Sequence, residues 1–249
     1  ICYNLKSIGE TMLEIYNLTK KFGEKTAVDD LSITVQDGQI CAFIGHNGAG
    51  KTTTLKCIAG ILDFDKGEIK VDKIDIKDHP MEAKKILAYI PDNPDLYDHL
   101  KGIDYLNFIA SIFDMSKEER KAKIEQYAKR LDIYNDLNTV ISSYSHGMKQ
   151  KLALVSGLIH KPSILLLDEP FVGLDPICSH EFKEIMKELA SEGVTIFYST
   201  HVLDVAEKIC SHVAIIKQGK LVKFGTMQEV TSDNSLENIF LELENEKHN

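Results

Sequence analysis

The eight residues 45–52 constrain the fold of this chain more than any other segment. They read Gly-His-Asn-Gly-Ala-Gly-Lys-Thr, which matches the pattern G-x-x-x-x-G-K-[ST], and they lie between an apolar run at 40–44 and a helical pattern at 52–61. Between a strand and a helix, such a loop binds phosphates through its backbone amides and through the positive end of the helix. The segment therefore predicts an α/β fold of the P-loop nucleoside triphosphatase type.

The same loop supplies the first candidate site residues. The residues that we expect to contact the nucleotide here are Gly45, His46, Asn47, Gly48, Ala49, Gly50, Lys51, Thr52 and Thr53. In this pattern the lysine reaches the β and γ phosphates and the hydroxyl of the last residue ligates Mg²⁺. We therefore expect ATP and Mg²⁺ as ligands.

Asp168 and Glu169 follow the apolar run 164–167. In P-loop ATPases the first of two such carboxylates holds the magnesium shell, and the second can accept a proton from the attacking water. An aspartate at a strand end could instead cap the next turn. Two adjacent carboxylates after four apolar residues favour the catalytic interpretation, with Asp168, Thr52 and a further oxygen ligand around the metal.

Length and composition narrow the remaining choices. A chain of 249 residues fits one large domain or two small lobes, and none of its apolar runs approaches the roughly 20 residues that span a bilayer. The net charge of -9 comes without a Lys/Arg-rich block, so binding to nucleic acid is not expected. Five cysteines without CxxC spacing argue against a zinc site or a disulfide framework and favour a reducing cytoplasm.

The order of patterned segments predicts a largely parallel sheet with ligands at the carboxyl ends of its strands. The predicted strands cover residues 13–18, 31–35, 40–44, 68–71, 87–90, 164–167, 194–198, 213–217 and 220–224. The predicted helices cover residues 52–61, 102 to about 130, 147–159, about 179–191 and 202–210, with two short helices at the end. Residues 1–11 do not fit the first strand, show no secretory signal, and are interpreted as a cloning or upstream remnant outside the fold.

Residues 144–150 show how the nucleotide is used. They read Tyr-Ser-His-Gly-Met-Lys-Gln and lie shortly before the acidic strand. A serine-glycine turn that opens a helix at this place resembles the signature of ATP-binding cassette (ABC) ATPases, and the resemblance covers nearly the whole chain from Leu13 onward. It implies one ABC domain over residues 12–249, with an N-terminal antiparallel β subdomain, a helical subdomain at about 93–160 and short C-terminal helices at about 226–245.

The resemblance also implies roles for individual residues. Phe22 matches the aromatic residue that stacks on adenine, and His201 matches the switch histidine that contacts the γ-phosphate. With Lys51 and Glu169, His201 makes up the implied catalytic set. Asp175 belongs to a segment, 173–175, that resembles the D-loop crossing the dimer interface.

In that family the signature serves a nucleotide bound to another copy of the domain. The implied contacts in trans are Ser145, His146, Gly147 and Met148. Two cassettes would then enclose two ATP molecules head to tail, and the sequence leaves open whether the second is a copy of this chain or a sister subunit.

Three positions depart from the commonest family pattern. Tyr144 and His146 replace the leucine and first glycine of the signature, and Asp92 replaces a glutamine that touches magnesium and couples to the transmembrane partner. Asp92 can still give an oxygen to the metal, with a full negative charge. His146 could contact phosphate when protonated or could face outward, and we favour the outward orientation.

The function that we predict is that of an ATPase subunit on the inner face of the cell membrane. The helical insertion and residues 92–101 would touch a separate transmembrane permease, and the motifs resemble bacterial export-type subunits of the drug, bacitracin and Ecs kinds. The alternative is a soluble ABC protein acting on nucleic acid or ribosomes. It is disfavoured because the chain has one cassette and neither a basic run nor sustained heptads. A regulatory module without turnover is disfavoured by the intact Lys51, Asp168, Glu169 and His201.

Overall fold

Two β-sheets and the helices between them carry the fold, which a computed structural model describes for residues 11–232 and 234–245. The strands are β1 (Thr11–Phe22), β2 (Lys25–Gln36), β3 (Ile40–Ile44), β4 (Lys66–Val71), β5 (Ile74–Asp75), β6 (Leu87–Ile90), β7 (Ile164–Asp168), β8 (Thr195–Thr200), β9 (His212–Lys217) and β10 (Lys220–Thr226). The helices are α1 (Lys51–Ile58), α2 (Pro80–Lys85), α3 (Gly102–Ile112), α4 (Lys117–Arg130), α5 (His146–Leu158), α6 (Pro176–Ser191), α7 (Leu203–Ile209), α8 (Met227–Thr231) and α9 (Leu236–Asn245).

The larger sheet has six strands in the order β10-β9-β3-β8-β7-β6. All neighbours from β9 to β6 run parallel, and only β10 pairs antiparallel, in the predicted hairpin with β9. Strands β3, β7 and β8 are buried along their whole length, which explains their continuous apolar sequences. The predicted mostly parallel core sheet is confirmed.

The smaller sheet is antiparallel, with the order β2-β1-β4-β5. Strand β1 begins at Thr11, so the interpretation that placed this residue outside the fold is wrong; residues 1–10 lie outside the described part. Both β1 and β2 extend beyond the predicted 13–18 and 31–35. Register shifts along their pairing, one of them around Asn17 at φ 50°, let the strands continue through stretches that do not alternate.

The core sheet is covered on both faces, and the side chains of β3 show the division. Ile40, Ala42 and Ile44 point to a hydrophobic core shared with the helical insertion, α6, α7 and α9. Cys41 and Phe43 point to a second core shared with α1 and the antiparallel sheet. Burying both faces leaves only the strand ends free for a ligand.

The helices differ from the prediction mainly at their ends. Helix α1 stops at Ile58 rather than residue 61, because Gly60 takes φ 62° and the amides of Ile61 and Leu62 turn back to the Lys56 carbonyl. Helix α6 starts three residues early at Pro176, behind the capping side chain of Asp175. The short helix α2 was not predicted.

The helical insertion lies between β6 and β7 and contains α3, α4 and α5. It is tied to α6 by Arg130, whose Nε lies 2.5 Å from the Glu181 carboxylate while its terminal nitrogens contact both oxygens of Glu188. Within residues 11–232 and 234–245, no helix has both the length and the apolar character that crossing a membrane requires.

Candidate functional site

A cleft of about 270 Å³ opens at the carboxyl ends of the parallel strands. It is lined by Phe22, Lys25, Ala27, His46, Asn47, Gly48, Gly50, Lys51, Thr52, Thr53, Asp92, Asp168 and Glu169. Four segments that are far apart in the sequence therefore meet here: the turn after β1, the phosphate loop after β3, the loop after β6 and the end of β7. This is the location that the strand order predicts for a ligand.

The phosphate loop needs glycine for steric reasons at two of its positions. A Cβ on Gly50 would lie 2.5 Å from the Ala27 carbonyl oxygen, and its φ of 112° is one that side chains rarely adopt. A Cβ on Gly45 would lie 2.5 Å from the Ile216 carbonyl oxygen. The loop is thus wedged between β2 and β9, with its open side toward the cleft.

Lys51 is buried under this loop. Its Nζ donates to the Gly45 carbonyl at 2.5 Å and to the His46 carbonyl at 3.3 Å, and it lies 3.9 Å from Glu169 Oε1. Burial lowers the pKa of this ammonium group, while the charges of Glu169 and Asp168 act in the opposite direction. The Lys51 ammonium is thus held at the cleft by two carbonyls of the loop and by the Glu169 carboxylate.

Asp168 carries the buried carboxylate of the cleft, with 1% of its surface exposed. Ser199 Oγ donates to Oδ1 at 2.5 Å, whereas Oδ2 is buried without a hydrogen-bond partner among the described residues. Burial raises the pKa of this carboxyl, and the hydroxyls of Ser199 and Thr52 lower it. An unpartnered buried carboxylate oxygen beside a threonine hydroxyl suits a hard divalent cation such as Mg²⁺.

Glu169 is held in an unusual backbone conformation, with φ 48°. Its amide donates to the Ser199 carbonyl at 3.2 Å and to Ser199 Oγ at 3.1 Å. Its carboxylate lies between Lys51 and His201, whose Nδ1 is 2.9 Å from Oε2. Left-handed backbone in a non-glycine residue persists only where neighbours enforce it, and it clusters at functional sites.

Phe22 lies at the rim of the cleft with 48% of its surface exposed. The Lys20 Nζ lies 5.1 Å from the centroid of its ring. A ring face that solvent can reach at the mouth of the cleft is available for stacking on a base. Lys25 and Ala27, which sequence reasoning did not single out, line the same cleft.

The signature segment lies apart from this cleft, since the residues that line it include none of 145–148. Ser145 is exposed and caps α5 by accepting a hydrogen bond from the Met148 amide at 3.2 Å. His146 is exposed, and its ring lies against Gly173.

The signature segment packs against the segment that resembles the D-loop. A Cβ on Gly147 would lie 2.5 Å from the Gly173 carbonyl oxygen, so packing of the two segments requires glycine at this position. Asp175 caps α6 by accepting from the Cys178 amide at 2.9 Å and pairs with Lys151 of α5 at 3.0 Å. These two contacts lower the pKa of Asp175.

Ser199 is a side chain of the candidate site that sequence reasoning did not single out. It contacts both carboxylate residues because β7 and β8 are parallel neighbours in a register that pairs Asp168 with Ser199. Part of the sequence did point to this position, because Ser199 and Thr200 directly precede the predicted site residue His201 at a strand end. The register between the two strands could not be derived from the sequence.

The fold, the phosphate loop and the paired carboxylates at the strand ends define a P-loop nucleoside triphosphatase. The chain belongs to the ABC transporter family of ATPases, because the family profile described as "ABC transporter" matches residues 28–172. The predicted family and enzyme class are thereby confirmed.

Curated relatives agree with this assignment. The chain is 38% identical over 218 residues to the uncharacterized ABC transporter ATP-binding protein MJ1023 of Methanocaldococcus jannaschii, covering 88% of this chain and 79% of the relative. It is 31% identical over 241 residues to the ABC-type transporter ATP-binding protein EcsA of Bacillus subtilis, covering 95% of this chain and 98% of that relative.

Solved structures agree as well. An ATP-binding subunit of an ABC transporter superposes with a TM-score of 0.90 at 31% identity, covering 94% of this chain and all of the other. The ATP-binding cassette MJ0796, solved as a dimer in a post-hydrolysis state with ADP and phosphate, superposes with a TM-score of 0.80 over 87% of this chain and 99% of its own. At 23% identity the second likeness concerns the fold.

Proposed function

We propose that this chain is the ATPase subunit of an ABC transporter, that it hydrolyses ATP in a head-to-tail dimer, and that it energises a separate transmembrane permease. The observation that carries the proposal is a site in two halves. The cleft supplies the loop, the lysine and the carboxylates, while the exposed Ser145 and the amides that follow it lie elsewhere on the same chain. A second cassette would bring its own signature to close the first cleft.

The chemistry follows from the contacts in the cleft. Thr52, Asp168 and Asp92 would hold Mg²⁺, which supplies neutralisation of the phosphate charge. Lys51 would exchange its carbonyl contacts for oxygens of the β and γ phosphates. Glu169 would take the proton of the attacking water as the bond from the γ-phosphorus to the bridging oxygen breaks, and His201 holds that carboxylate from the side opposite Lys51.

The surface around the signature supports pairing with a second cassette. Ile177, at the start of α6, is 82% exposed, and Val172 is exposed in the segment between β7 and α6. These residues flank Gly173 and Asp175, which contact the signature helix, and large exposed apolar side chains are typical of a surface that becomes buried on association. MJ0796 has the same fold and is dimeric.

A second exposed surface supports a contact with the permease. Tyr97, Phe108 and Ile112 lie on the loop after β6 and on α3, and half of the Tyr97 surface is exposed. The rings of Tyr97 and Phe108 are 5.7 Å apart, which makes them one patch. We place the permease at this patch and the subunit on the cytoplasmic face of the membrane, in a transporter that exports.

The experiment that tests the ATPase dimer uses Glu169→Gln with ATP and Mg²⁺. We expect the variant to bind ATP, to lose turnover and to accumulate as a dimer in size-exclusion chromatography with light scattering. Glu192→Gln, which makes the same charge change at the exposed end of α6, is the matched control and should behave as the parent. Hydrolysis at the parent rate by Glu169→Gln would show that the catalytic assignment is wrong.

The partner is tested by purifying the tagged chain from detergent-solubilised membranes of its native host. We expect a multispanning membrane protein to co-purify with the parent, and to be lost with Tyr97→Ala and Phe108→Ala together while ATP binding persists. RNA or ribosomal proteins in its place would support the soluble alternative and refute the transport proposal.

A further inference from the structure

We propose that Phe240, on the C-terminal helix α9, is a positioning residue for the phosphate loop and acts through His46. The inference rests on the proposed role of that loop in binding ATP. It assigns to α9 a part in nucleotide binding, although the helix lies outside the cleft and its residues do not line it.

The contact is between two rings. The His46 ring, on the second residue of the phosphate loop, lies 4.8 Å from the Phe240 ring between centroids, at an interplanar angle of 53°. This tilted geometry is one of the favourable arrangements for ring pairs. Residues 46–48 are exposed, and the Phe240 ring packs on the His46 side chain at this part of the loop.

The helix that carries Phe240 is itself anchored. Leu236 and Ile239 are buried in the core shared with the sheet and α7. Lys217, at the end of β9, donates a hydrogen bond to the Leu243 carbonyl near the other end of the helix. Since both ends of the helix are held, the Phe240 ring is a fixed surface for the loop.

The supported residue is linked to the catalytic groups. The His46 carbonyl accepts a hydrogen bond from Lys51 Nζ at 3.3 Å, and that ammonium lies 3.9 Å from Glu169. A loop that is free to move would have to be ordered when the nucleotide binds, and this ordering lowers affinity. Phe240 therefore keeps the loop in its binding conformation before ATP arrives.

We expect the loss of the Phe240 ring to weaken ATP binding without changing the rate of the chemical step. Phe240→Ala should raise the Kd for ATP about threefold to tenfold and raise KM in proportion, while kcat at saturating ATP stays near the parent value. Phe240→Tyr, which keeps the ring, should restore the parent Kd. Leu241→Ala is the matched control, because it removes an exposed side chain from the next position of the same helix.

A double-mutant cycle locates the effect at the ring pair. In a His46→Ala background, Phe240→Ala should change the Kd by much less than it does in the parent, because its partner is already gone. Isothermal titration with ATP gives the Kd values, and thermal unfolding checks that each variant is folded. If Phe240→Ala does not fold, Phe240→Leu is measured by the same criteria.

Three outcomes would overturn the inference: a parent Kd in Phe240→Ala, an equal rise in Leu241→Ala, or additive effects with His46→Ala. Lys51→Ala separates this failure from that of the proposed function. If Lys51→Ala leaves the Kd for ATP unchanged, the loop is not the nucleotide site and the proposed function fails. If Lys51→Ala weakens binding and Phe240→Ala does not, only the role of Phe240 is refuted.

Discussion

Ser199 offers a sharp test of how the two carboxylate residues are held. Its hydroxyl is buried, donates to Asp168 Oδ1 at 2.5 Å and accepts from the Glu169 amide at 3.1 Å. A hydrogen bond to a charged group contributes about 1.5 to 3 kcal/mol, against about 1 kcal/mol for a neutral pair. We therefore expect Ser199→Ala to lower the free energy of unfolding by about 2 to 3 kcal/mol at pH 7.

The loss should depend on pH in a defined direction. In the unfolded chain the Asp168 carboxyl titrates near its ordinary pKa of about 3.9, and in the folded chain burial raises that pKa. Deprotonation is thus less favourable in the folded chain, and the stability that this carboxyl contributes falls as the pH rises through the interval between the two pKa values. Without the Ser199 donor the interval widens, so the deficit of Ser199→Ala should be larger at pH 7 than at pH 4.

Urea denaturation of parent and variant without nucleotide, at both pH values, measures this difference. The matched control is Ser156→Ala on α5, which removes a hydroxyl that donates to a neutral backbone carbonyl at 2.8 Å. We also expect kcat to fall about tenfold in Ser199→Ala, because the Glu169 amide loses the hydroxyl that it donates to. This factor corresponds to about 1.4 kcal/mol in the activation free energy. Equal, pH-independent losses in the two alanine variants would refute the reasoning.

Two further predictions concern packing. Gly147→Ala should abolish ATP-dependent dimerisation in light scattering while leaving the ATP Kd of the monomer unchanged, because the added Cβ meets the Gly173 carbonyl and not the cleft; a weakened monomer Kd would contradict this. His160 stacks on Phe113 at 3.7 Å, and burial lowers its pKa to about 4. The folded pKa lies below the ordinary value of about 6.5, so stability is lost as the pH falls below that value, by about 2 kcal/mol at pH 5. His160→Phe should lack this part of the loss in urea titrations at pH 7.5 and 5, and an unchanged pH dependence would show that His160 is not responsible.

The parts of the fold that the sequence predicted well are those in which burial on both faces leaves a continuous apolar run. Strands β3 and β6 match the predicted 40–44 and 87–90 at both ends. The extent of β1 and β2 could not be derived in the same way. Their polar stretches continue as strands only because each is paired with the other, which is a tertiary effect that local pattern does not contain.

The residues of the candidate site likewise fall into those that local sequence patterns predict and those that only tertiary packing determines. Lys51, Asp168 and Glu169 lie within local patterns whose chemistry is tied to their spacing, and the structure brings all three into one cleft. Ser199 depends on the register between two strands, and Phe240 depends on a contact with a residue almost 200 positions earlier in the sequence. Neither follows from periodicity or from a motif, because both are set by packing.

The contacts between the signature segment and the start of α6 have a consequence for a dimer. Gly147 lies on the Gly173 backbone, and Lys151 of α5 is paired with Asp175, so these two loops form one rigid surface. The segment that carries Gly173 and Asp175 begins at Glu169, directly after the last residue of β7. In the proposed dimer, Ser145 would contact a nucleotide bound in the neighbour's cleft. Binding there would therefore move Glu169, which acts on this chain's own nucleotide. The occupancy of one site would then affect the other site through the main chain.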